Sequence, residues 1–359
     1  MSVPRFPVTL LTGFLGAGKT TLLNAVLTDS SAGRVAVIVN EFGDAGLDHD
    51  LIEESSDEIV LMPSGCLCCS MRGDLATTIE DLLDRWTQGE LEFERIVIET
   101  TGLADPGPIL QTFLVDRLLA QTTRVDGVVT VADAANGPAT LDAQFEAVSQ
   151  AAMADLIVLS KTDLVTPAQL ESFEARLRAL NPSARIVHAV RGEGIAERIW
   201  GLSALHPDAA RQDVLSWTTT QEPAKDPLAN LSGLSSAAEP VLISAPTHDA
   251  RITSESIILD DPISGKALDD WLDTLIKLRG PDILRVKGIV FLEGLDAPFV
   301  FHGVQHIFDP PVQLRDWPKG DRKSRIVVIA RDISNSKLQR SLKMLRDGSA
   351  PTQSISNTG

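Results

Sequence analysis

The chain has 359 residues, enough for two domains, and its 43% hydrophobic and 23% charged residues are typical of a globular protein. Its formal charge of -17 argues against a broad nucleic-acid or anionic-membrane surface, so we expect neither partner. No apolar run approaches the roughly 18–20 residues that span a bilayer, and no secretory signal is visible. The sequence therefore predicts a cytoplasmic protein.

Short apolar runs alternate with helical patterns along residues 1–205, which predicts one domain with a doubly wound, mostly parallel α/β sheet. The predicted strands are rich in Val and Ile and span residues 8–12, 35–40, 59–62, 96–99, 127–131, 156–160 and 186–190. The predicted helices between them span residues 19–28, 71–87, 107–120, 138–150 and 167–180.

The composition changes after this domain. Residues 206–240 are predicted to be a flexible linker, because residues 221–240 are rich in Ala, Ser, Pro and Glu and have no sustained period. Residues 241–345 predict a smaller α+β domain, with strands at 241–245, 283–292, 299–304 and 325–330 and helices at 265–278 and 336–345. Residues 346–359 are predicted to be a disordered tail.

The sequence GFLGAGKT at residues 13–20 fits the phosphate-binding pattern G-x-x-x-x-G-K-[ST]. It follows a predicted strand and opens a predicted helix, which is the context that the motif requires. Backbone N–H groups of the glycine-rich loop and the helix N-terminus would surround phosphate oxygens. We expect Lys19 to bridge the β- and γ-phosphates and Thr20 to place its hydroxyl on Mg²⁺.

An acidic side chain that holds the water shell of the metal ion is expected near this loop, and Glu99 is the candidate. It ends an apolar predicted strand and is followed by Thr100, Thr101 and Gly102. A carboxylate at that position is costly unless it faces a cation or solvent, so both a Mg²⁺ role and a solvated strand end stay open. Gly102 would let the backbone approach the γ-phosphate.

Base selection is assigned to the tetrapeptide SKTD at residues 160–163, which follows a late predicted strand. The carboxylate of Asp163 can accept two hydrogen bonds from guanine N1 and the exocyclic amine. Adenine lacks that pair of donors, so the motif favours GTP over ATP.

All three cysteines of the chain, Cys66, Cys68 and Cys69, lie within four residues, which does not fit a disulfide framework. The cluster is either a buried or redox-active thiol group or a metal-thiolate site. Three thiolates suit Zn²⁺, with Co²⁺ and Cu⁺ as alternatives, and leave a fourth coordination position open. Asp44, His49 or a partner's side chain could complete it. A structural zinc site is the other alternative, but such a site usually has four protein ligands.

These motifs occur together in one order, and the combination resembles the CobW-type GTPases, a family of metallochaperones and metal-homeostasis proteins. The motifs that carry the resemblance are GFLGAGKT (13–20), NEFG (40–43), GCLCC (65–69), ETTGLADP (99–106) and SKTD (160–163). DILRVKG at 282–288 and residues 317–331 are similar to the carboxyl-terminal domain of that family.

The resemblance implies GTP hydrolysis coupled to delivery of zinc, cobalt or another divalent metal to a client protein. It also implies roles for individual residues: phosphate binding by Gly13, Gly16, Ala17, Gly18, Lys19, Thr20 and Thr21, metal binding by Cys66, Cys68 and Cys69, Mg²⁺ binding by Thr20 and Glu99, and guanine binding by Lys161 and Asp163. Ser160 departs from the family pattern, because the common guanine motif has Asn there.

The leading hypothesis is a switch in which GTP and Mg²⁺ order the loops beside the phosphates and metal is held tightly until hydrolysis. Lys19, Glu99 and Asp48 are the candidate catalytic residues, with Asp48 orienting the attacking water or serving only as a solvated carboxylate. One rival is a nucleotide-gated assembly factor whose metal site is purely structural, and another is an ATP-dependent kinase. A homodimer stays open.

Overall fold

The computed structural model describes residues 5–39, 59–61, 71–203, 205, 209, 211–218, 251–315, 317 and 322–347. The strands are β1 (Phe6–Thr12), β2 (Val35–Val39), β3 (Ile59–Leu61), β4 (Arg95–Glu99), β5 (Thr123–Asp133), β6 (Leu156–Ser160), β7 (Arg185–His188), β8 (Ile252–Leu259), β9 (Ile283–Val290), β10 (Phe299–Val304), β11 (Ile307–Phe308), β12 (Val312–Gln313) and β13 (Ser324–Arg331). The helices are α1 (Lys19–Leu27), α2 (Met71–Thr87), α3 (Pro106–Val115), α4 (Arg117–Thr122), α5 (Gly137–Ala143), α6 (Phe145–Met153), α7 (Pro167–Leu180), α8 (Arg211–Thr218), α9 (Gly265–Arg279) and α10 (Asn335–Asp347). None of the helices described here is long and apolar enough to cross a bilayer.

The amino-terminal domain is built on a parallel sheet that has seven strands within the described residues, in the order β3-β2-β4-β1-β5-β6-β7. Its central strands are almost continuously buried, since helices cover both faces of the sheet. One face packs against α2, α3, α6 and α7, and the other packs against α1. This arrangement confirms the predicted doubly wound α/β fold.

Local capping signals explain where several helices begin and end. Thr166 accepts a hydrogen bond from the backbone of Gln169 in a capping box, and Pro167 is the first residue of α7, so this helix begins as predicted. The predicted helix 107–120 is instead two helices, because Asp116 adopts an extended conformation and caps α4. Gln144, also extended, separates α5 from α6 within the predicted helix 138–150.

The carboxyl-terminal domain is an antiparallel sheet covered by α9 and α10. Its strand order is β11-β10-β9-β13-β8 among the described residues, with β12 beside β10. Trp271 on α9 is buried, and its indole N–H donates to the Ser341 hydroxyl on α10 at 2.8 Å. The sequence did not predict β8, because its buried positions do not form an apolar run.

Part of the predicted linker is helical. α8 lies within residues 206–240, and its Val214 is buried with Ile289 and Val300 of the carboxyl-terminal sheet. Residues 219–250, which include the predicted strand 241–245, and residues 348–359 of the predicted tail lie outside the described residues.

A buried charged cluster joins the two domains. Asp155, just before β6, forms ion pairs with Arg285 at 2.5 Å and Lys287 at 2.7 Å, both on β9. Burial opposes ionisation of Asp155, but the two cations outweigh it and lower its pKa. Burial lowers the pKa of Lys287 to about 8 and also lowers that of His302, whose Nδ1 lies 3.2 Å from Asp309. Apolar side chains of β9, β10 and β13 join the core of the first domain.

Candidate functional site

The loop between β1 and α1 has the backbone geometry of a phosphate cradle. Gly13, Gly16 and Gly18 have φ values of 141°, 73° and 98°, which residues with a Cβ rarely adopt. Gly18 is the N-cap of α1 and has no side chain that could accept a hydrogen bond. The first N–H groups of the helix are therefore available to a ligand at the loop. Ala17 is buried beneath the loop, whereas Thr21 is exposed.

Thr20, in the first turn of α1, meets Glu99, the last residue of β4. The Thr20 hydroxyl donates to Glu99 Oε1 at 2.8 Å, and Glu99 is only 3% exposed. Lys19, the residue before Thr20, is also buried. A hydroxyl and a carboxylate held together beside a helix N-terminus form an oxygen-donor set that suits Mg²⁺. The geometry therefore fits the predicted cation site.

The loop from Thr100 to Asp105 runs directly beside the phosphate cradle. The Thr100 N–H donates to Leu11 O at 2.9 Å, which fixes the start of this loop to β1. Gly102 lies so close to the cradle that a Cβ added there would be 2.5 Å from Leu15 N. The structure thus brings Gly102 next to the cradle, as the γ-phosphate hypothesis requires.

The SKTD segment is also tied to the cradle. The Ser160 hydroxyl donates to Ala17 O at 2.6 Å, and Lys161 Nζ donates to Gly16 O at 2.8 Å. Lys161 has a φ of 54°, which turns the chain after β6. Asp163 follows in an exposed short helical turn, so its carboxylate is accessible.

Asp133 is a site residue that the sequence analysis missed. It ends β5, and its Oδ2 accepts from Lys161 Nζ at 2.7 Å. Burial disfavours the charged form of Asp133, but hydrogen bonds from Lys161 and Asn136 outweigh it and lower its pKa. The available signal was the one used for Glu99, an acidic residue that ends an apolar strand.

The remaining predicted site residues, Asp48, Cys66, Cys68 and Cys69, lie outside the described residues, as do the alternative ligands Asp44 and His49. Among the residues that are described, no three His, Cys, Asp or Glu side chains form a potential metal site.

The strand that precedes the cysteines in the chain is described. β3 lies beside β2, and the register aligns Leu61 with Val39, Val39 with Glu99, and Glu99 with Leu11. The last residue of β3 is therefore level with Glu99, at the same edge of the sheet as the phosphate cradle. Three strand spacings of about 4.8 Å separate β3 from β1, or roughly 14 Å.

Comparisons with known proteins agree with this architecture. Residues 7–188 match the model of the CobW/HypB/UreG nucleotide-binding domain, and residues 252–346 match that of the cobalamin synthesis protein cobW carboxyl-terminal domain. The zinc chaperone YjiA of Escherichia coli (strain K12) is 32% identical over 94% of this chain and 98% of its own length. The zinc-regulated GTPase metalloprotein activator 1 of Schizosaccharomyces pombe is 32% identical over 91% of this chain and 82% of its own.

A solved structure extends the similarity to both domains. The crystal structure of Zn(II)-bound YjiA GTPase from E. coli has a TM-score of 0.68 and 27% identity, and the match covers 96% of this chain and 100% of that one. With the nucleotide-binding domain and the carboxyl-terminal domain both matched, this chain belongs to the CobW family.

Proposed function

We propose that this chain hydrolyses GTP and uses the nucleotide state to bind a divalent metal ion and release it to a client protein. Zinc is the first choice of cargo, because relatives over nearly the whole chain are named zinc chaperones, and cobalt is the second. The observation that carries the proposal is the register that makes the end of β3 level with Glu99. Leu61, the last described residue before the cysteines, thus lies at the edge of the sheet that holds the phosphate cradle.

Residues of the β1–α1 loop bind the triphosphate in this proposal. The residues that contact it are Gly13, Gly16, Ala17, Gly18, Lys19, Thr20 and Thr21. Lys19 bridges the β- and γ-phosphates, and Thr20 with Glu99 holds Mg²⁺. Bound Mg²⁺ would neutralise charge that develops on the phosphates.

Asp163 selects guanine by accepting two hydrogen bonds from its N1 and amine, while Lys161 supports the base loop. The hydrogen bonds from Ser160 to Ala17 O and from Lys161 to Gly16 O support this role, since they connect the base-binding segment directly to the phosphate-binding loop. Competition between GTP and ATP for the purified protein tests the assignment, and a preference for ATP would instead indicate a kinase.

In this proposal Cys66, Cys68 and Cys69 hold the metal ion. The nucleotide controls metal binding through two loops, the one that contains Gly102 and the one that contains Asp48. Gly102 contacts the γ-phosphate, and Asp48 orients the attacking water. Loss of the γ-phosphate releases both loops and weakens the thiolate site. Linkage requires that GTP tighten metal binding by the factor with which metal tightens GTP binding, typically about 5–150-fold.

A zinc titration against a chromophoric chelator tests the gating. It is carried out with a non-hydrolysable GTP analogue, with GDP and without nucleotide. We expect the tightest zinc binding with the analogue, and loss of that binding when Cys66, Cys68 and Cys69 are changed to Ser. The Lys19→Ala variant is the control, since it should bind zinc without responding to nucleotide. Equal zinc affinity in all nucleotide states would overturn the proposal. Zinc that leaves only on unfolding would indicate a structural metal instead.

A further inference from the structure

A buried glutamine holds the loop beside the phosphate cradle from behind. Gln150 on α6 is 0% exposed, and its Nε2 donates to Gly102 O at 3.0 Å and to Ala104 O at 3.1 Å. One side chain thereby fixes two peptide planes of the loop between β4 and α3. Because the carbonyls of Gly102 and Ala104 both accept hydrogen bonds from Gln150, the backbone on either side of Gly102 has little freedom to rotate.

The two ends of the Gln150 carboxamide have different environments. Its Oε1 is buried and makes no hydrogen bond within the described part of the chain. Gln150 also lines a cavity of about 230 Å³ together with Phe14, Gly16 and Ala147. The donor half of the amide therefore makes both side-chain contacts of Gln150, and both of them go to the loop.

The helix that carries Gln150 is anchored in both domains. The Thr130 hydroxyl on β5 donates to Gln150 O at 2.8 Å, which fixes α6 to the central sheet. At the carboxyl end of α6, Met153 O accepts a hydrogen bond from Arg285 of β9. At its amino end, the Phe145 ring lies 4.9 Å from the guanidinium carbon of Arg251. The loop thus rests on an element that contacts the carboxyl-terminal domain at both ends.

We propose that Gln150 is a positioning residue for GTP hydrolysis, and that α6 links the loop at Gly102 to the carboxyl-terminal domain. This inference rests on the proposed function, in which Gly102 contacts the γ-phosphate. A loop held at two carbonyls meets the γ-phosphate in a prearranged geometry, so the cost of ordering it is already met before the transition state. When the γ-phosphate is lost, a shift of the loop displaces α6 through Gln150. The displacement of α6 reaches β9 through the hydrogen bond between Met153 O and Arg285.

The variant Gln150→Met tests the positioning role, since Met has a similar length and cannot donate a hydrogen bond. We expect kcat for GTP hydrolysis to fall about tenfold, which lies within the range that the net value of the two lost hydrogen bonds allows, while KM and GDP affinity change less than twofold. The matched control is Thr123→Val, which removes a buried hydrogen bond to Leu119 O in the same domain, at the opposite end of the sheet. It should leave kcat unchanged. A kcat within twofold of wild type for Gln150→Met, or an equal fall in the control, would overturn the role.

A measurement on the unmodified protein tests the linkage and does not depend on whether a variant folds. Hydrogen exchange is compared between the GDP complex and the complex with a non-hydrolysable GTP analogue, in the absence of zinc. We expect amides of 100–105, of α6 and of β9 to change protection together, while amides of α4 do not change. Protection of α6 that is identical in both complexes would overturn the linkage. Because neither test includes zinc, their outcome is independent of whether nucleotide gates metal binding.

Discussion

At the scale of single residues, the serine at position 160 shows how the departure from the family's guanine motif is accommodated. The family pattern has Asn at this place, so the motif match at this position gives less support to a guanine role. The Ser160 hydroxyl nevertheless reaches Ala17 O at 2.6 Å and so joins the base loop to the phosphate cradle. The serine side chain thus makes a hydrogen bond to the cradle backbone, and in the proposed function Asp163 and Lys161 recognise the base.

We predict that Ser160→Ala weakens binding of GDP and of a GTP analogue by the same factor, roughly fivefold to tenfold. The factor corresponds to the net value of one hydrogen bond, about 1 kcal/mol, and it is shared because both nucleotides use the same cradle. Titration with fluorescent nucleotides measures it. Thr28→Val, which removes an exposed hydroxyl at the other end of α1, should bind both nucleotides normally. A loss confined to one nucleotide would contradict the prediction.

At the scale of elements, the approach of the β4–α3 loop to the phosphate cradle depends on a missing side chain. A Cβ on residue 102 would lie 2.5 Å from Leu15 N and 2.8 Å from Leu15 Cα, which are backbone atoms and cannot rotate away. We predict that Gly102→Ala displaces one of the two loops and lowers the rate of GTP hydrolysis at least tenfold while the protein stays folded. Phosphate release and circular dichroism measure the two effects.

The matched control for that substitution is Gly265→Ala at the start of α9. No heavy atom lies within 4 Å of a Cβ added there. We expect normal turnover, with thermal stability equal to or above that of the wild type because Ala favours helix over Gly by up to about 1 kcal/mol. Normal turnover of Gly102→Ala as well would show that the close approach has no part in hydrolysis.

Elements with local signals could be predicted from the sequence, and contacts between distant segments could not. α7 was predicted at 167–180, and the structure shows that its start is encoded locally, since Thr166, Pro167 and Gln169 mark it within four residues of chain. β8 was missed because Ser254, Glu255 and Ser256 interrupt any apolar run, and only pairing with β13 makes it a strand. The grip of Gln150 on the loop spans 48 residues of sequence, and an amide in a helix gives no local sign of such a contact.

At the scale of the whole molecule, the domains are joined by buried charges to which the sequence analysis assigned no role. Asp155, Arg285 and Lys287 are each at most 3% exposed in their side chains. We predict that Arg285→Ala lowers the free energy of unfolding by roughly 3–5 kcal/mol, because it removes one partner of a buried ion pair. Urea titration measures it.

The control for that loss is Arg34→Ala, which removes the exposed pair with Glu92. The Arg34 side chain is 56% exposed, and such pairs contribute at most about 1 kcal/mol. Equal losses in the two variants would mean that burial of the Arg285 pair adds nothing to stability.

The same cluster predicts a pH dependence. Burial lowers the pKa of Lys287 to about 8 from the ordinary 10.5, so between these values the unfolded chain binds a proton that the folded chain does not. We therefore expect the contribution of Lys287 to the free energy of unfolding to rise as pH increases across that window. Urea titrations of the wild type and of Lys287→Met across the window test this. Parallel pH profiles for the two proteins would contradict it.

The ion pair between the domains also has a consequence for biosynthesis. Asp155 and Arg285 are 130 residues apart in the chain. A ribosome adding roughly 5–20 residues per second needs on the order of ten seconds to cover that interval. During that time Arg285 and Lys287 have not yet been synthesised, so the Asp155 carboxylate has no cationic partner from β9. Hydration of this carboxylate will oppose close packing of the chain around it. We expect the first domain to complete its packing only when β9 has left the exit tunnel.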